Sequence, residues 1–211
     1  MLTDKLKENI ARVDILSDFD EVMIKGQSAY KEVLTYFWSL PIVDNIKFIE
    51  RAKEKYFEYI ETGDVRAFYE LLSGCQVKVL DRVANKLKKN KRWHNLVGNT
   101  KVGIVSRNNR RIILKYLKLN SIDAEIIAAN EPEILGDIYT GNVDIIVNND
   151  KLVDFVKEKD YICGDEEKEI LEGFGIDSIK LDKGIYICSN QKDFKENYYI
   201  MQSDGKFKNF E

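Results

Sequence analysis

Short apolar runs alternate with amphipathic segments after Gly98, and this alternation restricts the possible folds more than any other feature of the chain. Residues 102–106 form an apolar run, residues 109–119 repeat apolar side chains at helical spacing, and residues 124–129 form a second run. The alternation continues to Cys188. Strands that alternate with helices build a mainly parallel sheet with both faces covered. We therefore expect an α/β fold around a mainly parallel sheet.

The segment between residues 28 and 90 departs from this alternation, because its pattern is helical almost throughout. Residues 28–40 place apolar side chains at helical spacing, Pro41 interrupts the pattern, and Asp44 is suited to cap a following helix. Two further helices are predicted near residues 65–72 and 77–89.

A first strand, predicted over residues 12–18, precedes this helical block. The simplest organisation is a core domain made of residues 1–25 and 96–211, with an all-helical cap domain of residues 26–95 inserted into it. The cap would lie over the carboxyl-terminal edge of the sheet, where α/β sheets bind their ligands.

Polar residues stand at the ends of several predicted strands. Asp18, Ser106 and Asp165 each follow an apolar run, so the fold would bring them to one edge of the sheet. Asp18 and Asp20 are one residue apart, and together they supply a negative pocket for a divalent cation, a carboxylate nucleophile and a proton donor. These groups are the equipment of a phosphoryl-transfer enzyme.

Composition excludes several other classes of function. Hydrophobic residues make up 44% and charged residues 33% of the chain, which is a globular composition, and the formal charge of −3 provides no basic field for nucleic acid. No stretch approaches the ~20 apolar residues of a membrane span. The three cysteines are far apart and odd in number, which favours a reducing compartment. We expect a cytoplasmic monomer or homodimer.

Four motifs in order resemble those of the haloacid dehalogenase (HAD) superfamily. Residues 18–23, Asp-Phe-Asp-Glu-Val-Met, resemble its first motif, and Ser106 after a strand resembles the second. Lys151 is placed like the third-motif lysine, and Gly164-Asp165 followed by Glu169 resembles the fourth. The helical insertion is similar to the cap of the phosphoserine-phosphatase-like branch. Two further stretches resemble that branch, at residues 129–131 and 139–143.

This resemblance implies a Rossmann-like core and an Mg²⁺-dependent phosphatase that forms an aspartyl-phosphate intermediate on a small phosphorylated metabolite. It implies that Asp18 is the nucleophile and Asp20 the general acid and base. Mg²⁺ would be held by Asp18, the Asp20 carbonyl and Asp165, with Glu169 in support. The implied phosphate contacts are Ser106 with the following Arg107 and Asn108, and Lys151 would offset charge.

Four positions depart from the pattern of that branch. Arg107 and Asn108 replace two glycines, Glu169 replaces an aspartate, and Gln27 stands where the phosphoserine enzymes place an acid for the substrate amine. Phosphoserine is therefore not the expected substrate. Haloacid dehalogenase chemistry is disfavoured by Asp20, and phosphomutase action stays open. A degenerate member that binds a phosphorylated ligand or a protein partner without turnover is the alternative.

Overall fold

The computed structural model describes residues 1–25, 29–38, 50–55, 57–58, 62, 64–192 and 194. The helices of this part are α1 Asp4–Ala11, α2 Ala29–Trp38, α3 Arg66–Leu71, α4 Lys78–Ala84, α5 Lys91–Val97, α6 Arg110–Asn120, α7 Asn149–Glu158 and α8 Asp165–Gly173. Its strands are β1 Ile15–Ser17, β2 Val102–Asn109, β3 Ala124–Leu135, β4 Ile138–Asp144, β5 Tyr161–Cys163, β6 Asp177–Asp182 and β7 Ile185–Ser189. The expectations for Gln27, Pro41 and Asp44 lie outside the described residues.

These strands form one sheet in the order β4-β3-β2-β1-β5-β7-β6. The four central strands, β3, β2, β1 and β5, run parallel, and β4, β7 and β6 join by antiparallel pairing toward the edges. Residues 102–106 are all buried, as expected of a central strand with both faces covered. The predicted α/β fold with a mainly parallel sheet is confirmed.

The sheet separates two apolar clusters. Ile104 packs on one face with Phe19, Tyr116 and other side chains of that cluster, and its neighbour Val105 packs on the opposite face with Phe155. This alternation follows from the two-residue period of a strand. Each such side chain stabilises the fold by about 1.5–3 kcal/mol through burial.

Gly103 allows close packing at the centre of β2. A Cβ at this position would lie 2.7 Å from Ile127 Cγ1 and 2.8 Å from Val13 Cγ2. No larger residue fits there unless both neighbours shift, so the glycine sets how closely the layers approach.

Helices α6 and α7 both begin after an asparagine cap, and α6 covers the residues with helical spacing in the sequence. Helix α6 begins after Asn109, whose Oδ1 accepts a hydrogen bond from Arg111 N at 2.9 Å. Helix α7 begins after Asn148, whose Oδ1 accepts from Lys151 N at 2.9 Å. Within the described ranges, no helix has both the length and the apolar character needed to cross a bilayer.

Residues 132–141 lie in a β-hairpin. Strand β3 runs to Leu135, the chain turns through Gly136 at φ +62°, and β4 begins at Ile138. Pairing of β4 with β3 ends at Asp144.

The helix predicted over residues 77–89 is shorter in the structure, since α4 ends at Ala84. Residues 88–90 instead run beside the chain that leaves β1: Lys25 N donates to Lys88 O at 2.8 Å and Asn90 N donates to Met23 O at 3.0 Å. These bonds take up backbone groups that a longer helix would have used. A new helix, α5, starts at Lys91. The division into core and cap stays a prediction.

Candidate active site

Asp18 and Asp20 lie on the turn that follows β1. Asp18 N donates to Ile162 O of β5 at 2.8 Å, so sheet pairing continues one residue past the strand. Phe19 is fully buried, and its carbonyl oxygen accepts from Met23 N at 3.1 Å, which closes the turn. The turn is thereby anchored to the core on either side of Asp20.

Two consecutive hydrogen bonds connect the Asp18 backbone to helix α5. Trp93 Nε1 of α5 donates to Ser17 Oγ at 2.9 Å, and Ser17 Oγ donates to Asp18 O at 2.9 Å. Trp93 and Ser17 are both buried. The position of Asp18 is therefore fixed by the α5 helix as well as by the sheet.

The Asp18 carboxyl is 2% exposed, and its Oδ2 has no hydrogen-bond partner among the described residues. Burial raises the pKa of Asp18 well above its usual value, and the charges of Glu167 and Asp20 raise it further. The backbone N–H of Phe19 and the Arg107 guanidinium oppose this rise in pKa. A buried carboxyl oxygen without a donor costs free energy unless a proton, a water molecule or a bound cation satisfies it.

The Asp20 carboxylate accepts a hydrogen bond on each oxygen. Ala29 N, at the start of α2, donates to Oδ1 at 3.0 Å, and Asn108 Nδ2 donates to Oδ2 at 2.8 Å. Burial raises the pKa of Asp20 to about 7, although these two donors act in the opposite direction. Asp20 can therefore both donate and accept a proton near neutral pH.

The last residues of β2 bring Ser106, Arg107 and Asn108 to the same edge, where the pairing with β3 is irregular between Ser106 and Asn109. Ser106 is 2% exposed, and its Oγ accepts from Asn108 N at 3.2 Å. The Arg107 carbonyl oxygen accepts from Asn130 Nδ2 at 2.8 Å and from Tyr69 Oη at 3.3 Å. Neither of these donors was among the residues predicted for the site, although the stretch containing Asn130 had been recognised as similar to the phosphatase branch.

The Arg107 side chain crosses the site and is only 14% exposed. Its Nη1 donates to Asn149 Oδ1 at 3.1 Å, and its Nη2 donates to Glu166 Oε1 at 2.8 Å and to Glu167 Oε1 at 2.5 Å. Its positive charge lowers the pKa of both aspartates of the β1 turn. Arg107 thus supplies positive charge inside this acidic group.

Glu167 is a site residue that the sequence reasoning missed. It is 8% exposed, and its charge raises the pKa of Asp18 and of Asp20. Burial raises the pKa of Glu167 itself, and Arg107 opposes that rise. One signal was present in the sequence: Leu171 follows four residues later and is buried, so Glu167 shares the inward face of α8.

Lys151 lies at the start of α7, as expected, but its side chain is exposed. Its Nζ donates to Ile145 O at 2.7 Å. The structure therefore directs this ammonium group toward the segment before α7. Arg107 is a cation whose charge lowers the pKa of both Asp18 and Asp20.

Asp165 and Glu169 are exposed residues of α8. The Asp165 carboxylate accepts a hydrogen bond from the Tyr186 hydroxyl, and Oδ2 lies 3.3 Å from the position of a Cβ on Gly184. Asp165 thus faces the turn between β6 and β7. Of the predicted metal ligands, the structure brings Asp18 and Asp20 together, whereas Asp165 contacts a different part of the sheet edge.

The carboxylate oxygens of this site are the type of ligand that a hard divalent cation prefers. Asp18, Asp20 and Glu167 offer carboxylate oxygens, which Mg²⁺ prefers, and Asp18 Oδ2 is buried without a donor. Within the described residues, however, no three His, Cys, Asp or Glu side chains are already arranged as a metal cage. Glu167 is engaged by Arg107 instead.

No protein-family model matches the sequence, and no curated protein matches it. Among solved structures, the chain is similar to a HAD-family hydrolase from Salmonella enterica serovar Typhi, with 12% identity and a TM-score of 0.48 over 74% of this chain. The match spans 61% of that hydrolase. A phosphoserine phosphatase solved as a phospho-aspartyl intermediate analogue gives 15% identity and a TM-score of 0.49, covering 80% of this chain and 74% of its own.

The phosphoserine phosphatase from T. onnurineus gives 12% identity and a TM-score of 0.45, covering 74% of each chain. These proteins are named as a HAD-family hydrolase and as phosphoserine phosphatases, which are the superfamily and the branch whose motifs the sequence resembles. Because the identities and TM-scores are low, a function for this chain has to be inferred from its own residues.

Proposed function

We propose that this protein is a phosphomonoesterase that acts on a small phosphorylated metabolite through an aspartyl-phosphate intermediate. The observation that carries the proposal is the contrast between two carboxyls of one turn. Asp18 has a buried Oδ2 without a partner, whereas Asp20 is held on both oxygens and has a pKa near 7. Asp18 is placed to attack once its carboxyl is ionised, for which a bound cation would supply the opposing charge, and Asp20 is suited to transfer protons.

In the first step, Asp18 forms a bond to phosphorus while the bond between phosphorus and the leaving oxygen breaks. The electron pair goes to the leaving oxygen, which takes the proton of Asp20. In the second step, Asp20 accepts a proton from water as the water oxygen attacks the phosphorus of the acyl phosphate. Inorganic phosphate leaves, and the Asp18 carboxylate and the Asp20 proton are restored.

The transferred phosphoryl group carries negative charge that needs donors. Ser106 Oγ and the backbone N–H groups at the start of α6 stand at the same edge, and the N-terminus of a helix favours anions. Arg107 brings a guanidinium, which binds phosphate oxygens with two parallel hydrogen bonds. In this proposal Arg107 takes the charge-neutralising role that the sequence motif assigns to Lys151.

Mg²⁺ is the cofactor that we propose, with Asp18 and Glu167 as the carboxylates that would hold it. When bound, the ion would supply positive charge that offsets the carboxylates and polarises the phosphoryl oxygens. Asp20 stays available for proton transfer, because its two oxygens are already held by Ala29 N and Asn108 Nδ2.

Hydrolysis of p-nitrophenyl phosphate with and without Mg²⁺ tests the proposal, with Asp18→Asn as the control. We expect Mg²⁺-dependent turnover in the wild type and its loss in the variant. A panel of phosphorylated metabolites, including phosphoserine and nucleoside monophosphates, then identifies the substrate class. Turnover that survives in Asp18→Asn would exclude the aspartyl-phosphate route.

A protein that binds a phosphorylated ligand without turnover is the second candidate. The exposed position of Lys151 favours it, because the site then lacks the cation that the motif pattern supplies. The same metabolite panel read by thermal shift separates the two functions. A ligand that raises the melting temperature equally in wild type and Asp18→Asn, with no phosphate released from either, would identify a binding protein.

A further inference from the structure

Arg107 and Glu167 form a mostly buried ion pair between two different elements. The Nη2–Oε1 distance is 2.5 Å, and the two side chains are 14% and 10% exposed. Arg107 belongs to the carboxyl-terminal end of β2, whereas Glu167 belongs to the first turn of α8. The pair therefore ties the end of β2 to the helix that follows β5.

The Glu167 carboxylate faces the turn that carries Asp18 and Asp20. Its Oε2 lies 3.6 Å from the position of a Cβ on Gly164, and the same position is 3.6 Å from Glu21 Cβ on that turn. Three acidic side chains thus share this region with one guanidinium. If all are ionised, an excess of negative charge is left beside the unpartnered Asp18 Oδ2.

A divalent cation at the Glu167 carboxylate would share it with Arg107, which already donates to Oε1. The guanidinium does not lose its proton in proteins, so two positive charges would meet on one carboxylate. Their repulsion weakens the bond between Arg107 and Glu167 as the cation binds. Glu166 offers the guanidinium a second anchor, because Nη2 already donates to Glu166 Oε1 at 2.8 Å.

We infer that Arg107 and a divalent cation compete for Glu167, so that binding of the cation frees the Arg107 guanidinium for the phosphoryl group. This inference rests on the proposed phosphatase function. Without the cation, the ion pair neutralises Glu167 and keeps the Arg107 guanidinium bound to α8. When the cation is bound, its charge replaces that of the guanidinium at Glu167, and the Arg107 side chain turns toward the phosphoryl group of the substrate.

Calorimetric titration of Mg²⁺ alone into four proteins tests the competition: wild type, Arg107→Gln, Glu167→Gln and the double variant. We expect Arg107→Gln to bind Mg²⁺ about tenfold more tightly, because a charge-assisted hydrogen bond no longer has to be broken. In the Glu167→Gln background, the Arg107 substitution should change the affinity very little. Arg111→Gln, which removes a positive charge paired with Asp81, is the matched control and should leave the affinity unchanged.

An equal gain in affinity in both backgrounds would mean that Arg107 acts only as a general repelling charge, and this would overturn the inference. No gain in either background, or no binding of Mg²⁺ to any of the proteins, would also overturn it. Turnover of p-nitrophenyl phosphate is measured separately. Turnover without coupling between Arg107 and Glu167 defeats the competition alone, whereas coupling without turnover defeats the proposed function.

A measurement on the wild type covers the case in which the variants do not fold. The ¹⁵N NMR signals of the guanidinium Nε groups are followed as Mg²⁺ is added. The Arg107 signal should shift in step with binding, while the Arg111 signal stays in place. Binding of Mg²⁺ that leaves the Arg107 signal unchanged contradicts the competition.

Discussion

Two segments of this protein carry a pair of acids with the same spacing, and they orient the pair differently. The β1 loop, residues 18–23, carries Asp18 and Asp20, and the first turn of α8 carries Asp165 and Glu167. Each segment follows one of two neighbouring parallel strands, β1 and β5. The β1 loop brings both of its acids into the site, whereas α8 buries Glu167 and exposes Asp165.

Backbone geometry explains the difference. In a helix, residues two apart point about 200° away from each other, so Asp165 and Glu167 lie on nearly opposite faces of α8. The β1 loop reverses direction instead: Val22 N donates to Asp20 O at 2.6 Å, and Glu21 has a φ of +59°. Equal spacing in sequence therefore gives two inward acids in one segment and one in the other.

The largest expected effect compares Asp18→Asn with Asp165→Asn. We expect Asp18→Asn to lower turnover of p-nitrophenyl phosphate at least about 10³-fold, because it removes the nucleophile. Asp165→Asn should retain turnover within about threefold, since surface substitutions away from a site have small effects. An equal loss in both variants would show that Asp165 acts in the site as the sequence motif suggests.

Asp20→Asn should lower turnover by about 10²–10⁴-fold, because proton transfer to the leaving oxygen is lost. The same substitution should also raise the free energy of unfolding at high pH.

Burial raises the pKa of Asp20 from 3.8 to about 7. The wild type is therefore stabilised by the protonated carboxyl below about pH 4 and loses this stabilisation as the pH rises to about 7.

Asparagine does not ionise, so Asp20→Asn should exceed the wild type in free energy of unfolding by roughly 1–3 kcal/mol at pH 8, and by less at pH 4. Urea denaturation at the two pH values measures this difference. A variant that is less stable than the wild type at pH 8 would contradict the sign of the pKa shift.

Glu167→Gln, with Glu169→Gln as the matched control, sharpens the comparison within α8. We expect the Glu167 substitution to lower turnover about 10–100-fold, the range typical of residues that support a metal site, and to weaken Mg²⁺ binding. Glu169 is exposed, and its substitution should change turnover less than about threefold. A larger loss of turnover in Glu169→Gln than in Glu167→Gln would show that Glu169, and not Glu167, supports the metal site.

The smallest expected effect is that of Lys151→Ala. Its ammonium group donates to Ile145 O at 2.7 Å and is exposed, so turnover should fall less than about fivefold and stability by less than about 1 kcal/mol. Steady-state kinetics on p-nitrophenyl phosphate measures the change. A loss as large as that of Asp20→Asn would mean that Lys151 turns into the site during the reaction.

The pattern of apolar residues was sufficient for most of the fold. Central strands such as residues 102–106 and helices such as α6 follow from local periodicity, because their buried faces repeat along the chain. Local periodicity did not predict where α4 ends, which is Ala84 instead of residue 89. Residues 88–90 pair with the chain leaving β1, and that contact depends on residues distant in sequence.

The sequence by itself determined most of the elements and brought Asp18, Asp20 and Ser106 toward one edge of the sheet, because parallel strands in one sheet end at a shared edge. Tertiary structure alone decided which side chains face that edge. It turned Glu167 inward and Asp165 outward, left Lys151 exposed, and set Arg107 against Glu167. The physical reason is that each of these orientations depends on helix phase and on long-range hydrogen bonds, which residue spacing does not record.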